Sequence, residues 1–292
     1  MKILLFSRSQ IKHRTEELMA LRDAILQGGF DYAVNEEFAT ILHTLGVWDI
    51  PTEQQYGQTI GQQPESAIMV CYGGDGTLLE GAHRLGGAAI PILGINAGHL
   101  GFLTSVPRDG LTTLFANLTP ESLRIEQRTM LQVEGDFTDP AASYQALNEF
   151  SIQRHGAGMI SVETYVDEQL VATYYGDGVI LSTPTGSTAY SLSAGGPVVA
   201  PTCACMVISP LAPHNLTMRP MVIPDSSTIR LRVHVRYGEA FATLDNRSYA
   251  IGSETEFTIR KSDHSIFLAT PHNISFYDTL RNKMMWGVDI RG

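Results

Sequence analysis

The residues best suited to chemistry in this chain lie at positions 73–77, where the sequence reads Gly-Gly-Asp-Gly-Thr. An apolar run over 67–72 precedes them and a helical pattern over 78–85 follows, which predicts a buried strand, a glycine-rich turn and a helix. Such a turn lets the backbone approach a ligand closely, and the first N–H groups of the helix suit a phosphate. Asp75 adds a carboxylate that, beside phosphates, must take a proton or hold a metal ion. The alternative is an ordinary Asp-Gly turn that binds nothing.

Three further stretches could bind a ligand. Asn148 and Glu149 interrupt an apolar strand, and their donor and acceptor groups match the hydroxyls of a sugar; the alternative is a strand end with both side chains in water. Asp177 stands between two glycines, and a run rich in hydroxyls and small residues follows over 182–196. Tyr190 adds an aromatic face within that run. A run of this composition is most often an exposed linker, but apolar runs flank this one on both sides.

Other signatures of chemistry are missing from the sequence. It contains no Walker A motif, no Gly-x-Gly-x-x-Gly after the first strand and no Gly-x-Ser-x-Gly elbow. The nine histidines lack the spacing of metal ligands, and Cys203 and Cys205 begin an apolar run that we interpret as a strand, with no second cysteine pair. We therefore predict no metal site made by protein side chains alone.

The amino-acid composition limits the possible binding partners of the protein and the cellular compartment in which it works. The chain has 292 residues, 43% of them hydrophobic, which suffices for one large or two ordinary domains. A formal net charge of -10 disfavours nucleic acid and anionic membranes as partners. Three cysteines fit a reducing compartment, no run reaches the roughly 18–20 apolar residues of a membrane span, and the apolar start is too short for a signal peptide. We therefore expect a cytoplasmic protein.

Alternating strand and helix patterns cover the first part of the chain, to about residue 118. They predict a parallel α/β sheet, in which ligands bind at the carboxyl ends of the strands. Beyond residue 120 the pattern changes, and over 228–235 apolar residues occupy every second position. This predicts a second, antiparallel β domain over about 121–270 with one wet face. Helical spacing returns over 275–286.

Taken together, these stretches resemble the NAD kinases, enzymes that phosphorylate NAD to NADP. The first motif alone also occurs in diacylglycerol-type lipid kinases and phosphofructokinases, whereas the order of all the motifs is specific. The resemblance covers nearly the whole chain and lies in residues 73–77, 94–103, Asn148-Glu149, Asp177-Gly178, 182–196, Pro213-His214 and Arg219-Pro220.

The resemblance implies a fold of class α/β plus β. Residues 1–120 would form an N-terminal Rossmann-like α/β domain, to which 271–292 return. Residues 121–270 would form a C-terminal β-rich, β-sandwich-like domain that binds NAD. Oligomers are usual in the family, so the resemblance also implies a homo-oligomer, a dimer or a tetramer.

The resemblance also implies roles for single residues. Asp75 would be the catalytic base and would bind the ligand together with Gly76. Asn148 and Glu149 would contact the ribose and the adenine side. Further contacts to NAD would come from Asp177, Thr188, Ala189, Tyr190, Ser191, Leu192 and Ser193. Tyr175, Gly158 and Arg247 stand where many family members carry other residues, so contacts at these three positions stay open.

The resulting hypothesis is a transfer from ATP to the 2′-hydroxyl of the adenosine ribose of NAD. Asp75 would accept the hydroxyl proton, and backbone N–H groups with Mg²⁺ carried on ATP would supply charge and alignment. The motifs contain few basic residues, which makes the metal essential to this hypothesis. The alternatives are a lipid kinase and a non-catalytic NAD(P) sensor. The sequence does not distinguish NAD from NADH, ATP from polyphosphate, or the presence of feedback by NADPH.

Overall fold

The computed structural model describes residues 1–9, 14–58, 60–98, 101–104, 106–137, 144–236 and 238–287. The chain divides into two compact units. The first unit comprises Met1–Gln127 and Ile266–Gly292, and the second unit comprises Arg128–Ser265.

The helices and strands follow one another along the chain. Their order is β1 (Lys2–Phe6), α1 (Thr15–Gln27), β2 (Asp31–Asn35), α2 (Glu36–Thr44), β3 (Gln55–Tyr56), β4 (Ala67–Gly73), α3 (Asp75–Arg84), β5 (Ile92–Asn96), β6 (Val106–Pro107), α4 (Leu111–Ala116), β7 (Leu123–Gly135), β8 (Gln145–Ala146), β9 (Glu149–His155), β10 (Ile160–Val166), β11 (Gln169–Gly176), β12 (Gly178–Ser182), α5 (Tyr190–Ser193), β13 (Cys205–Leu211), β14 (Met221–Pro224), β15 (Ile229–Val235), β16 (Glu239–Leu244), β17 (Arg247–Ile251), β18 (Thr255–Pro271) and α6 (Phe276–Met284).

A parallel sheet forms the centre of the first unit. Its strands lie in the order β3, β2, β1, β4, β5, and the end of β18 pairs with β5 in the same direction. Every residue of β4 is buried, as expected for a strand with helices on both faces of its sheet. The chain crosses from one side of β1 to the other between β2 and β4, which is the kind of switch point at which α/β proteins bind ligands.

Two antiparallel sheets form the second unit. One contains β11, β10, β15 and the first part of β18, and the other has the order β14, β13, β12, β9, β16, β17. Their apolar faces share one core cluster. On β15, Ile229, Leu231 and Val233 are buried, whereas Arg232 is exposed, because successive side chains of a strand point to opposite faces. The predicted fold class, an α/β domain with a β-rich domain, is confirmed.

The sequence predicts a strand at Cys203 and Cys205. This strand is β13, which begins at Cys205; Cys203 precedes it in an exposed turn. No helix among the described residues is both long enough and apolar enough to span a membrane.

Candidate functional site

The glycine-rich turn of the first unit aims a carboxylate at the following loop. β4 ends at Gly73, and Asp75 is the first residue of α3. Its Oδ1 accepts hydrogen bonds from the backbone N–H groups of Leu103 and Thr104 and from the Thr104 hydroxyl, each at 3.0 Å. Its Oδ2 accepts one hydrogen bond, from Phe102 N at 2.8 Å. Among the described residues, three donors therefore bond to Oδ1 and one bonds to Oδ2, so Oδ2 can accept a further hydrogen bond.

The loop that binds Asp75 is itself fixed by the end of β5. The Asn96 amide nitrogen donates to Thr104 Oγ1 at 3.3 Å, and Asn96 Oδ1 accepts from Gly98 N at 2.6 Å. His99 and Leu100, which belong to the motif over 94–103, lie outside the described residues. The side chain of Asp75 is 29% exposed, so a ligand can reach the carboxylate.

Gly101 lets the carboxylate approach the loop. A Cβ atom at this position would lie 1.9 Å from Asp75 Oδ1 and 2.4 Å from Thr104 Oγ1, far inside van der Waals contact. Any larger residue must displace Asp75 or the loop.

If Asp75 is the catalytic base that the resemblance implies, we expect Gly101→Ala to lower kcat about tenfold, because a reacting group displaced by a fraction of an ångström loses its alignment. Steady-state kinetics of the variant would measure this. The matched control is Gly98→Ala in the same loop, where an added Cβ meets no atom of the described residues within 4 Å. Equal kcat values for the two variants would contradict the expectation.

Two cations lie beside this turn, and sequence reasoning missed both. Lys283 Nζ on α6 lies 3.8 Å from Asp75 Oδ2 and 4.8 Å from the centre of the Phe102 ring. Arg8, just after β1, lies with Nη1 3.1 Å from the position that a Cβ of Gly76 would take. The sequence did contain a signal for Arg8, because this residue follows the carboxyl end of a predicted strand, where ligands of parallel sheets bind. It contained no such signal for Lys283, which lies 208 positions after Asp75.

In the second unit, one buried carboxylate organises the segment that contains Asn148 and Glu149. Asp245 accepts hydrogen bonds from the backbone N–H groups of Leu147 at 2.9 Å, Asn148 at 2.7 Å and Glu149 at 3.2 Å. Asp245 occupies the two-residue turn between β16 and β17 with φ of 52°. Sequence reasoning missed this residue; the Asp-Asn pair between two alternating runs was the available signal.

Glu149 is a buried carboxyl without a described partner for one of its oxygens. Its Oε2 is buried and has no hydrogen-bond partner among the described residues. Burial, together with the nearby charge of Asp245, raises the pKa of Glu149 to about 8. Burial also raises the pKa of Asp245, while hydrogen bonds from three backbone N–H groups and the charge of Arg247 oppose that rise. A protonated Glu149 offers both a donor and an acceptor to a ligand.

This pKa makes folding stability depend on pH. The folded protein holds a proton on Glu149 that the unfolded chain, with a pKa near 4.5, has already released, so stability falls as the pH rises from about 4.5 to about 8. We expect Glu149→Gln to reduce the fall in melting temperature between about pH 5.5 and about pH 8.5. The exposed Glu239→Gln serves as the control. Identical pH dependence in Glu149→Gln and the parent protein would contradict this.

The hydroxyl-rich stretch packs against the same segment. Thr183 Oγ1 donates to Leu147 O at 2.6 Å, and a Cβ on Gly186 would lie 2.1 Å from Asn148 O. Ser191 is buried and shares a hydrogen bond of 3.1 Å with Ser209. Of the other residues predicted to contact the ligand, Tyr190 and Ser193 are exposed, and Thr188, Ala189 and Leu192 are half-buried.

Asp177 and Tyr190 lie at a cavity of about 300 Å³. Arg154, a residue that sequence reasoning did not select, pairs with Asp177 through Nε and Oδ1 at 2.5 Å. The Tyr190 hydroxyl donates to Gln153 at 3.2 Å. The structure thus brings Asp177 and Tyr190 together. Within the hydroxyl-rich stretch, Thr183 contacts Leu147 and Gly186 lies against Asn148.

The three positions whose ligand contacts the sequence leaves open, Tyr175, Gly158 and Arg247, have different surroundings. Tyr175 is exposed and lines a separate cavity of about 510 Å³. Gly158 lines a cavity of about 290 Å³ together with Asp177. Arg247 donates to the backbone carbonyl of Gln145. Within the described part of the chain, no group of three or more His, Cys, Asp or Glu side chains could hold a metal ion.

Comparison with known families gives two matches. Residues 10–120 match the model of the ATP-NAD kinase N-terminal domain, and residues 147–270 match that of the ATP-NAD kinase C-terminal domain.

Similar curated proteins carry the name NAD kinase. The chain is 34% identical to the NAD kinase of Christiangramia forsetii and 36% identical to that of Bacteroides fragilis, over the full length of both chains in each case. It is 40% identical to the NAD kinase of Cytophaga hutchinsonii over 77% of each chain.

Two solved structures have a similar fold. Yeast NADH kinase complexed with NADH aligns with a TM-score of 0.83 at 22% identity, over 100% of this chain and 89% of the yeast chain. The NAD kinase of Archaeoglobus fulgidus in complex with ATP aligns with a TM-score of 0.73 at 23% identity, over 98% of this chain and 99% of that one.

Proposed function

The chain belongs to the NAD kinase family and is a kinase that acts on NAD, and we propose that it phosphorylates the 2′-hydroxyl of the adenosine ribose to give NADP. ATP is the phosphoryl donor in this proposal. The ligands of the two structural relatives, NADH in one and ATP in the other, support this choice of substrates. The observation that carries the proposal is the Asp75 carboxylate, whose Oδ2 keeps an acceptor position at the start of α3.

In the proposed reaction, the ribose 2′-oxygen forms a bond to the γ-phosphorus of ATP. The bond from that phosphorus to the bridging oxygen of the β-phosphate breaks, and ADP leaves. Asp75 Oδ2 takes the hydroxyl proton, which contributes typically about 10²–10⁴ in rate. The remaining barrier falls through alignment and through the backbone N–H groups at the start of α3, which face the charge that develops on the phosphoryl oxygens.

The second unit supplies the contacts to NAD in this proposal. Asn148 and Glu149 bind the ribose and the adenine side, and the orphaned oxygen of Glu149 supports a ligand there, because a buried polar atom normally has a partner. The cavity shared by Asp177 and Tyr190 supports contacts to other parts of the dinucleotide. Further contacts come from Gly76 in the first unit and from Thr188, Ala189, Ser191, Leu192 and Ser193.

Mg²⁺ enters the proposed reaction as part of the substrate, bound to ATP. The described residues form no carboxylate cluster that would hold a resident ion, so the protein's own contribution is hydrogen bonds and fixed charge. We also propose that the protein works in the cytoplasm as a dimer or tetramer, which the family resemblance supports. Analytical ultracentrifugation would test the oligomer.

The test of the function is an assay with purified protein, ATP, Mg²⁺ and NAD, in which NADP is detected by an NADP-specific dehydrogenase. We expect NADP to form from NAD and not from an analogue that lacks the 2′-hydroxyl. Binding of NAD without product would instead indicate a sensor. Product from diacylglycerol alone would indicate a lipid kinase.

A further inference from the structure

Arg8 and Lys283, the cationic pair, lie at the start of α3 within the first unit, Arg8 beside Gly76 and Lys283 beside Asp75. Arg8 follows β1, and β1 is the parallel neighbour of β4, with Phe6 in register with Cys71. The residues that follow the two strands therefore meet at the same edge of the sheet. This edge lies at the switch point of the strand order, where ligands of α/β sheets bind.

The side chain of Arg8 is oriented by an acidic neighbour. Arg8 Nε lies 3.2 Å from Glu80 Oε2, and Glu80 also pairs with Arg84 at 3.1 Å. Because the contact to Glu80 uses Nε, the outer nitrogen Nη1 is directed to Gly76. The side chain is 30% exposed, so this end of a planar, always charged guanidinium can meet an anion.

Lys283 is held beside Asp75 without a hydrogen bond to it. The distance of 3.8 Å from Nζ to Oδ2 permits attraction but exceeds the length of a hydrogen bond. Contact of the ammonium with the Phe102 ring, which packs on Phe276 at the start of α6, fixes its position. The three N–H donors of this ammonium thus lie close to the proposed base and can turn to another acceptor.

The hydroxyl group of Thr77, in the first turn of α3, is a third group that could contact a ligand. Thr77 is buried, and its Oγ1 has no hydrogen-bond partner among the described residues. Buried hydroxyls normally have one, so this atom indicates that the turn accepts a polar group from outside the chain. Arg8 beside Gly76 and Lys283 beside Asp75, in the same turn, favour an anion as that group.

We propose that Arg8 and Lys283 bind the phosphates of the ATP that the proposed function requires. Lys283 contacts the transferred γ-phosphoryl group, because it lies beside the oxygen that takes the proton. Arg8 contacts the inner phosphates over Gly76. The protein has a formal net charge of -10 and places a carboxylate at this site, so these local cations offset the repulsion of a polyanion.

The test combines kinetics with direct binding of Mg²⁺–ATP and of inorganic tripolyphosphate, which competes with ATP if the site recognises phosphates. We expect Arg8→Gln to raise KM for ATP about tenfold, and Lys283→Gln to lower kcat about tenfold, with KM for NAD almost unchanged. Both variants should lose about tenfold in tripolyphosphate affinity by calorimetry without NAD. Lys283→Arg should recover part of the loss, since it keeps the charge.

The matched controls are Arg14→Gln and Arg281→Gln. Arg14 is 71% exposed and lies 3.8 Å from Glu17, and Arg281 stands two residues from Lys283 on α6 and pairs with Asp278. Both controls should behave as the parent protein. Unchanged tripolyphosphate affinity in Arg8→Gln and Lys283→Gln, in a protein that makes NADP, would overturn the assignment. Failure of the parent protein to make NADP would instead refute the proposed function, and the calorimetry would still test the cationic pair.

Discussion

We expect Asp75→Asn to lower kcat for NAD phosphorylation by at least about a hundredfold while the affinity for NAD stays nearly unchanged. Asparagine cannot take the proton of the ribose hydroxyl. Its carbonyl oxygen can still accept from Leu103 and Thr104, so the loop keeps most of its hydrogen bonds. Its amide nitrogen, however, would face the N–H of Phe102, which loses an acceptor.

Single-turnover kinetics at saturating NAD and ATP would measure the loss, and calorimetry would measure NAD affinity. The control is Asp109→Asn, which changes a carboxylate that is 94% exposed in the same unit. An Asp75→Asn variant with a nearly normal rate would show that Asp75 is not the base.

Removal of Asp245 should damage both stability and activity. Asp245→Ala leaves three buried backbone N–H groups without their acceptor, at a cost of about 1–3 kcal/mol each. We therefore expect the melting temperature to fall by about 6 °C or more. Because these N–H groups belong to the segment of Asn148 and Glu149, we also expect kcat/KM for NAD to fall at least about thirtyfold.

Differential scanning calorimetry and initial-rate kinetics would test this, with the exposed Asp263→Ala as the control. Affinity for tripolyphosphate should not change, since the cationic pair belongs to the first unit. Asp245→Ala should also lower the pKa of Glu149, because the charge of Asp245 helps to raise it. A variant with parental stability and kcat/KM would disprove the role of Asp245.

Local patterns predicted the elements well where one periodicity dominates. The helical spacing of Leu18, Leu21 and Ile25 predicts a helix over 15–27; this helix is α1, in which these residues are buried and Gly28 follows the last residue. The turn at Asp75 was also predictable, because the strand, the glycines and the helix follow one another directly in the sequence. The boundaries between the two units, by contrast, fall within β7 and β18. No turn residues mark a point inside a strand. The domain boundaries predicted from the sequence, at residues 120 and 270, therefore lie at the nearest changes in the strand and helix patterns.

The partners of the site residues could not be predicted in the same way. Arg8, Lys283 and Asp245 reach their places through sheet order, helix docking and a hairpin turn, each of which joins distant parts of the chain. The hydroxyl-rich stretch was predicted to offer donors to a ligand. In the structure, hydroxyls such as those of Thr183 and Ser191 bond to the chain itself, because a buried stretch must satisfy its own polar groups.

The fixed carboxylate of Asp75 also bears on which isomer the enzyme can make. Donors from Phe102, Leu103 and Thr104 prevent rotation of the carboxylate about χ2, so its vacant lone pair has one direction. A ribose carries two adjacent hydroxyls, and with Asp75 as the proposed base only the hydroxyl that reaches this direction would give up its proton. Regiochemical purity of the product, the 2′-phosphate free of its 3′ isomer, would thus follow from the rigidity of one side chain.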